Sequence, residues 1–154
     1  MSRGPRASRP RFPGYGIAEA SAGMLPWSWA VERLEAARNY WVTTVNADGS
    51  PHAAPVWGLW RDDAVVFGTG ATSRKGRNIA RDPRVVVHLE SGDEVVILEG
   101  RIEAVATDDA FADAYHAKYE HRPDPGEGWL SLPPTRAFAW RERDYPQSAT
   151  RFDF

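Results

Sequence analysis

Two runs with a period of two, YWVTTV at 40–45 and PHAAPVWGLW at 51–60, flank the turn sequence NADGS and constrain this chain more than any other feature. Aromatic and β-branched residues alternate with small or polar ones, which suits a pleated strand with one covered face. Asp48-Gly49 supplies the left-handed backbone positions of a tight hairpin, so the two runs are predicted to pair antiparallel. The pattern repeats downstream. Arg61-Asp62-Asp63 turns the chain into AVVFGTG (64–70), SGDE joins RVVVHLE (84–90) to VVILEGRIEAVA (95–106), and TRAFAWRE (135–142) supplies a last strand. Six short strands with such links predict a mainly β fold, antiparallel and closed into a small barrel.

Three helices flank these strands. LPWSWAVERLEAARN places Trp29, Leu34 (with Val31) and Ala37 on one face, with Pro26 near the first turn. A short helix is predicted over 73–81, ending before Pro83. A third starts at Thr107, read as its cap, carries Asp108 and Asp109 in its first turn, and runs to about Glu120. RPDPGEGWLSLPP reads as loop and DYPQSATRFDF as an irregular tail.

With 154 residues, 42% hydrophobic and 26% charged, the chain reads as one soluble domain over 24–154. Residues 1–23 read as a flexible Arg/Pro-rich tail. Their first thirteen hold four arginines, three prolines and no acid, and bury too little to repay ordering. A net charge of −2 gives no reason to expect nucleic acid or an anionic membrane as partner. No apolar run approaches the ~20 residues of a membrane span, and no secretory signal is read at the start; a cytoplasmic location is the expectation. Cysteine is absent. The four histidines form no ligand pair at helical spacing, so no metal site is expected. No GxSxG elbow marks a nucleophile. Seven tryptophans exceed what a small monomer readily buries, which favours a homodimer with flat-ring contacts.

One stretch carries chemistry. Of 19 basic residues 17 are arginine, yet one of the two lysines stands in GTGATSRKGRNIARDP at 68–83. A strand ends before Gly68 and Gly70, Thr69, Thr72 and Ser73 offer hydroxyls, and a helix begins near Ser73 with its free amides facing back. Arg74 and Lys75 add a planar fork and a point charge, with Asn78 one turn on. These parts suit a phosphate; they are also those of a solvated basic helix start. The spacing is neither GxxxxGK[ST] nor GxGxxG. In PHAAPVWGLW, Pro55 implies an edge, a bulge or backbone facing a ligand. The small residues with Val56 and Trp57 suit either a wall for a planar ring or an ordinary edge strand.

Taken in order, YWVTTVNADGSPHAAPVWG, VVFGTGATSRKGRNIARDPRVVVHLE, VVILEGRIEAV and ATRFDF resemble the pyridoxamine-phosphate-oxidase-like, split β-barrel flavin-binding family from about Leu25 to Phe154. The resemblance implies a homodimer of split barrels with a flavin or deazaflavin in the interface. By it, the strand from Ala53 to Gly58, including Pro55, Val56 and Trp57, runs beside the ring. Gly68 and Thr69 lie near the cofactor chain, Ser73, Arg74 and Lys75 hold phosphate, and Asn78 is a polar contact of the deazaflavin-using branch. Trp140 and Arg151 lie in the C-terminal region that closes over the cofactor. Ala53 and Gly58 stand where the true oxidase has basic residues, and Val95 where it has a glutamine. The resemblance therefore points away from pyridoxamine-phosphate oxidation. It points to hydride transfer from coenzyme F-420, or from FMN as the alternative, to a small conjugated acceptor. A non-catalytic cofactor carrier or haem-binding protein is the rival of another class. No catalytic residue is assigned; His52 and Tyr145 are the side chains considered for proton delivery.

Overall fold

The computed structural model describes residues 4–124 and 126–154. In chain order the elements are β1 (Arg6–Ser8), α1 (Trp27–Ala36), β2 (Tyr40–Val45), β3 (Pro51–Val56), β4 (Gly58–Arg61), β5 (Ala64–Gly68) and α2 (Arg74–Arg81). There follow β6 (Arg84–His88), β7 (Glu94–Arg101), β8 (Glu103–Val105), α3 (Asp109–Tyr119), β9 (Trp129–Leu132), β10 (Pro134–Arg141), α4 (Tyr145–Ser148) and β11 (Thr150–Asp153), with a single 3-10 turn at Glu142–Asp144.

The strands form two antiparallel sheets, a seven-stranded one ordered β1-β11-β10-β7-β6-β2-β3 and a four-stranded one ordered β4-β5-β9-β8. The barrel expected from the sequence does not close, because among the described residues no ladder joins the sheets. They are linked instead by bent strands. The run at 51–60 breaks at Trp57, the run at 95–106 breaks at Ile102, and Pro133 separates β9 from β10, so each run begins in one sheet and ends in the other. One shared core fills the space between. Val42, Val87, Leu98 and Ala137 of the large sheet meet Val65, Phe67 and Leu132 of the small one, and Ala30 and Leu34 of α1 complete the cluster.

Several local expectations shift. The cap of α3 is Asp108 rather than Thr107, with its carboxylate accepting from the Phe111 amide at 2.8 Å. Trp129–Leu132 is a strand rather than loop, because it fills the slot between β5 and β8. The irregular tail contains α4 and β11; the alternation of buried Thr150 and Phe152 with half-exposed Arg151 and Asp153 is that of a half-covered strand. Within the flexible tail expected over 1–23, Arg6–Ser8 pair with β11. The Arg9 guanidinium donates to the carbonyls of Ala20, Ala22, Gln147 and Ala149 at 2.6–3.0 Å. The contacts to β11, Gln147 and Ala149 have no local sequence signal, since those partners are distant in the chain. Phe12 then lies against Phe138 and Trp140, with ring centroids 5.4 and 6.2 Å away. Only Trp129 of the seven tryptophans is buried.

Candidate functional site

The start of α2 is built by a hydroxyl and a glycine. Ser73, extended at φ −64 and ψ 160, caps the helix: its Oγ accepts from the Gly76 amide at 3.0 Å and donates to the Gly70 carbonyl at 2.7 Å. Thr69 Oγ1 lies 3.0 Å from the same oxygen. A Cβ on Gly76 would stand 2.3 Å from the Gly70 oxygen and 2.9 Å from that of Ala71, so only glycine lets the turn seat on the helix. Ser73, expected to hold phosphate, thus has its hydroxyl engaged in capping and shapes the turn rather than reaching outward.

Arg74 and Arg77 are exposed and Lys75 half-exposed. Among the described residues their side chains form no hydrogen bond or ion pair, and the Arg74 and Lys75 amides have no backbone acceptor. The first turn holds no acid. Three cations therefore stand at the end of the helix whose dipole repels them. Several arginines elsewhere meet carboxylates a few residues away, as in Arg84–Asp82, Arg141–Asp144 and Arg151–Asp153 at 2.6–2.7 Å. Beside α2 a cleft of about 490 Å³ runs to the β2–β3 turn, between Arg74, Arg77 and Arg81 on one side and Asn46 and Asp48 on the other. The Ser50 hydroxyl and amide hold the Asp48 carboxyl below its usual range, with a smaller contribution from Arg74.

Asn78 is turned inward toward β2. It is 3% exposed, and its amide donates to Thr44 Oγ1 at 3.0 Å and Asn46 Oδ1 at 2.9 Å while accepting from Arg81. It is a bracket tying α2 to β2.

β3 is an edge strand paired only with β2, which accommodates Pro51 and Pro55. Ala53 and Pro55 are exposed on one face, whereas Val56 points into the core and offers no wall. Trp57, at the bend between the sheets, is 41% exposed. Gly68 lies under Trp129, 3.3 Å from the ring for an added Cβ, and with Thr69 it borders a second cleft of about 450 Å³ beside Tyr115 and His121.

Trp140 and Arg151 do not join this group within one chain. They lie on β10 and β11, with β7, β6 and β2 between them and β3; measured along the sheet at ~4.8 Å per strand, β10 is roughly 19 Å from β3. Trp140 meets Tyr145 edge-on at 5.5 Å, and the Arg151 fork is held by Asp153 at 2.7 Å. His52 is half-buried with an unpartnered Nδ1 among the described residues. His88 stacks parallel to Trp41 and engages the Leu89 carbonyl at 2.8 Å. Burial, then Tyr15, raises Tyr145 above its ordinary value.

A cluster absent from the sequence reading forms where α3 crosses the bend at Trp57. Lys118 Nζ donates to the Gly58 carbonyl at 2.8 Å and to the Tyr40 hydroxyl at 3.3 Å. The Tyr119 hydroxyl accepts from the Gly58 amide at 2.9 Å and donates to the Arg38 carbonyl at 2.6 Å. Its ring stacks on Trp57 at 4.6 Å and 8°. Burial, and then Arg38, push Lys118 down to about 8. Burial raises Tyr40 and Tyr119 and pushes Tyr115 up to about 12. The one local signal was the spacing of Tyr115, Lys118 and Tyr119 on a single helical face.

Two sheets joined by three bent strands, with a basic helix start beside an exposed edge, place the chain in the split, two-sheet class of β proteins. Residues 30–141 match the family model described as pyridoxamine 5'-phosphate oxidase, and the chain belongs to that family. Similar solved structures include a conserved hypothetical protein from Mycobacterium tuberculosis, with TM-score 0.67 and 23% identity over 77% of this chain and 86% of that one. An F420 reductase has TM-score 0.57 and 23% identity over 69% and 93%. A pyridoxamine 5'-phosphate oxidase-related, FMN-binding protein from Nostoc punctiforme has TM-score 0.57 and 18% identity over 79% and 87%. No curated protein matches the sequence. Among the described residues no helix is long and apolar enough to cross a membrane.

Proposed function

We propose that the chain is an oxidoreductase that holds coenzyme F-420 by a phosphate at the start of α2 and passes hydride to a small organic acceptor. The observation that carries this reading is the trio Arg74, Lys75 and Arg77. Among the described residues these cations have no carboxylate partner, and they stand on bare helix amides, where a bound anion relieves both the charge repulsion and the unpaired donors. When bound, the cofactor supplies the hydride chemistry. The chain's own residues bind and orient: Lys75 and Arg74 grip phosphate, Ser73 and Gly76 hold the turn, and Ala53, Pro55 and Trp57 border the ring along the β3 edge.

A second copy completes the site in this reading. The outer face of the large sheet presents half-exposed Trp41, Val86, Ile97 and Phe138, an apolar surface suited to self-association. Trp140 and Arg151 act from the partner subunit in this reading, because within one chain β7, β6 and β2 separate their strands from β3. FMN is the competing occupant, supported by the likeness to an FMN-binding protein and by the same phosphate chemistry. The test is a visible-spectrum titration with FMN, F-420 and haem separately, with sedimentation for the dimer. Saturation by F-420 at micromolar concentration is expected; binding of neither F-420 nor FMN overturns the reading.

A further inference from the structure

The bend at Trp57 gathers two more cations that no acid neutralises. The Arg38 guanidinium lies 5.6 Å from the Trp57 ring centroid and 5.4 Å from that of Tyr119. Lys118 Nζ lies 4.9 Å from the Tyr40 ring and 5.1 Å from that of Tyr119. Neither side chain forms an ion pair among the described residues. An ammonium has three donors, and Lys118 has engaged two, on Gly58 and Tyr40. Trp57 has one face against Tyr119, yet it remains 41% exposed. The surroundings thus combine a part-exposed indole, a guanidinium beside it and a half-buried ammonium with a donor to spare.

We propose that Arg38, Trp57 and Lys118 form a binding platform for a planar conjugated carboxylate, the π system lying on Trp57 and the carboxylate taken by the two cations. Stacking on an exposed indole and charge-assisted hydrogen bonds to a carboxylate are the two interactions these groups offer together. Its role as the acceptor subsite rests on the oxidoreductase reading; binding itself does not. The bend explains the placement. Lys118 and Tyr119 both grip the Gly58 peptide, and Gly58 has no room for a Cβ, which would lie 2.7 Å from the Val66 carbonyl oxygen. The amine is thereby fixed beside the same corner that exposes Trp57. The charged and titratable groups facing Lys118 are Arg38, Tyr40 and Tyr119, with Glu35 acting on Tyr40. A bound carboxylate supplies the counter-charge that this set lacks.

The experiment is calorimetric titration of the cofactor-free protein with trans-cinnamate and, separately, with the neutral amide of the same acid. Cinnamate is expected to bind at least about ten-fold tighter than the amide, the loss of one charge-assisted contact. Arg38→Gln and Lys118→Met are each expected to weaken cinnamate by a similar factor, and Lys75→Ala to leave it unchanged. Lys118→Met also removes contacts to Gly58 and Tyr40, so its fold is checked by circular dichroism. Arg38 is exposed and forms no hydrogen bond through its side chain among the described residues, so Arg38→Gln decides the matter if the lysine variant does not fold. No cinnamate binding, equal affinity for the amide, or unchanged affinity in Arg38→Gln each overturns the proposal. So does an equal loss in Lys75→Ala. Cinnamate discrimination in a protein that binds neither F-420 nor FMN sinks the cofactor reading alone, and the reverse pattern sinks the platform alone.

Discussion

Lys75 and Lys118 stand in opposite surroundings although neither meets a carboxylate. Lys75 is half-exposed on the first turn of α2, between two exposed arginines and above a hydroxyl-capped turn. Lys118 is half-buried against two tyrosine rings, with a strand carbonyl for a partner. The first setting gathers positive potential from consecutive residues and from the helix itself. The second gathers it from Arg38 before β2, the bend after β3, and α3, which meet only once the sheets are formed. Local chain geometry is enough to gather the first group of cations, and tertiary packing is required for the second.

Gly76→Ala is the most severe way to break the contrast. Its Cβ would meet the Gly70 oxygen at 2.3 Å, so the turn moves away from the helix start. The expected result is a loss of about 1–3 kcal/mol in stability by overpacking and no measurable saturation by F-420 or FMN. Wild-type affinity in this variant would separate the turn from the cofactor. Lys75→Ala comes next, with cofactor affinity lower by roughly 1.5–3 kcal/mol and a melting temperature equal to or slightly above wild type, since a cation leaves the positive end of the helix. An unaltered titration curve returns Lys75 to the role of a solvated helix residue.

The smallest effect sharpens the Lys118 side. Its folded value of about 8 lies below the ordinary 10.5, so between these values the unfolded chain holds a proton that the native one has released. Stability therefore rises with pH across that window. Above about 10 the sign reverses, because unfolded tyrosines ionise while buried Tyr40, Tyr115 and Tyr119 keep their protons. Melting temperatures from pH 7 to pH 11, roughly the span set by these lysine and tyrosine values, are expected to climb and then fall, and Lys118→Met to remove the climb. A flat wild-type profile would contradict the burial ascribed to this amine.

The same division governs what could be read beforehand. The β2–β3 hairpin, β5, α2 and β6 announce themselves through period-two alternation and turn residues, and Ser73 and Gly76 lie in a motif legible as a helix entry. Proximity in sequence made Arg74 and Lys75 visible. The bends at Trp57, Ile102 and Pro133 were not legible, because a strand that changes sheets keeps its alternation nearly intact while its partners change. For a related reason the sequence does not show how Val56 and Asn78 are held, one pointing into the core and the other bracing β2. β9 and β11 were hidden in Pro-, Gly- and Asp-rich text, and only their slots beside β5, β8 and β10 give them structure.

The grip of Arg9 has a consequence for the order in which the molecule can be completed. Its guanidinium holds carbonyls at Gln147 and Ala149, and β1 pairs with β11 alone. Gln147 and Ala149 follow Arg9 by 138 and 140 residues, so these two contacts form only after nearly all of the intervening fold has been synthesised, whereas those to Ala20 and Ala22 can form early. Until residue 149 is made, Phe138 and Trp140 have no cover from Phe12 held in this way. The segment carrying Arg9 is thus among the last to find its place, and the large sheet gains its β1 edge only after β11 has formed.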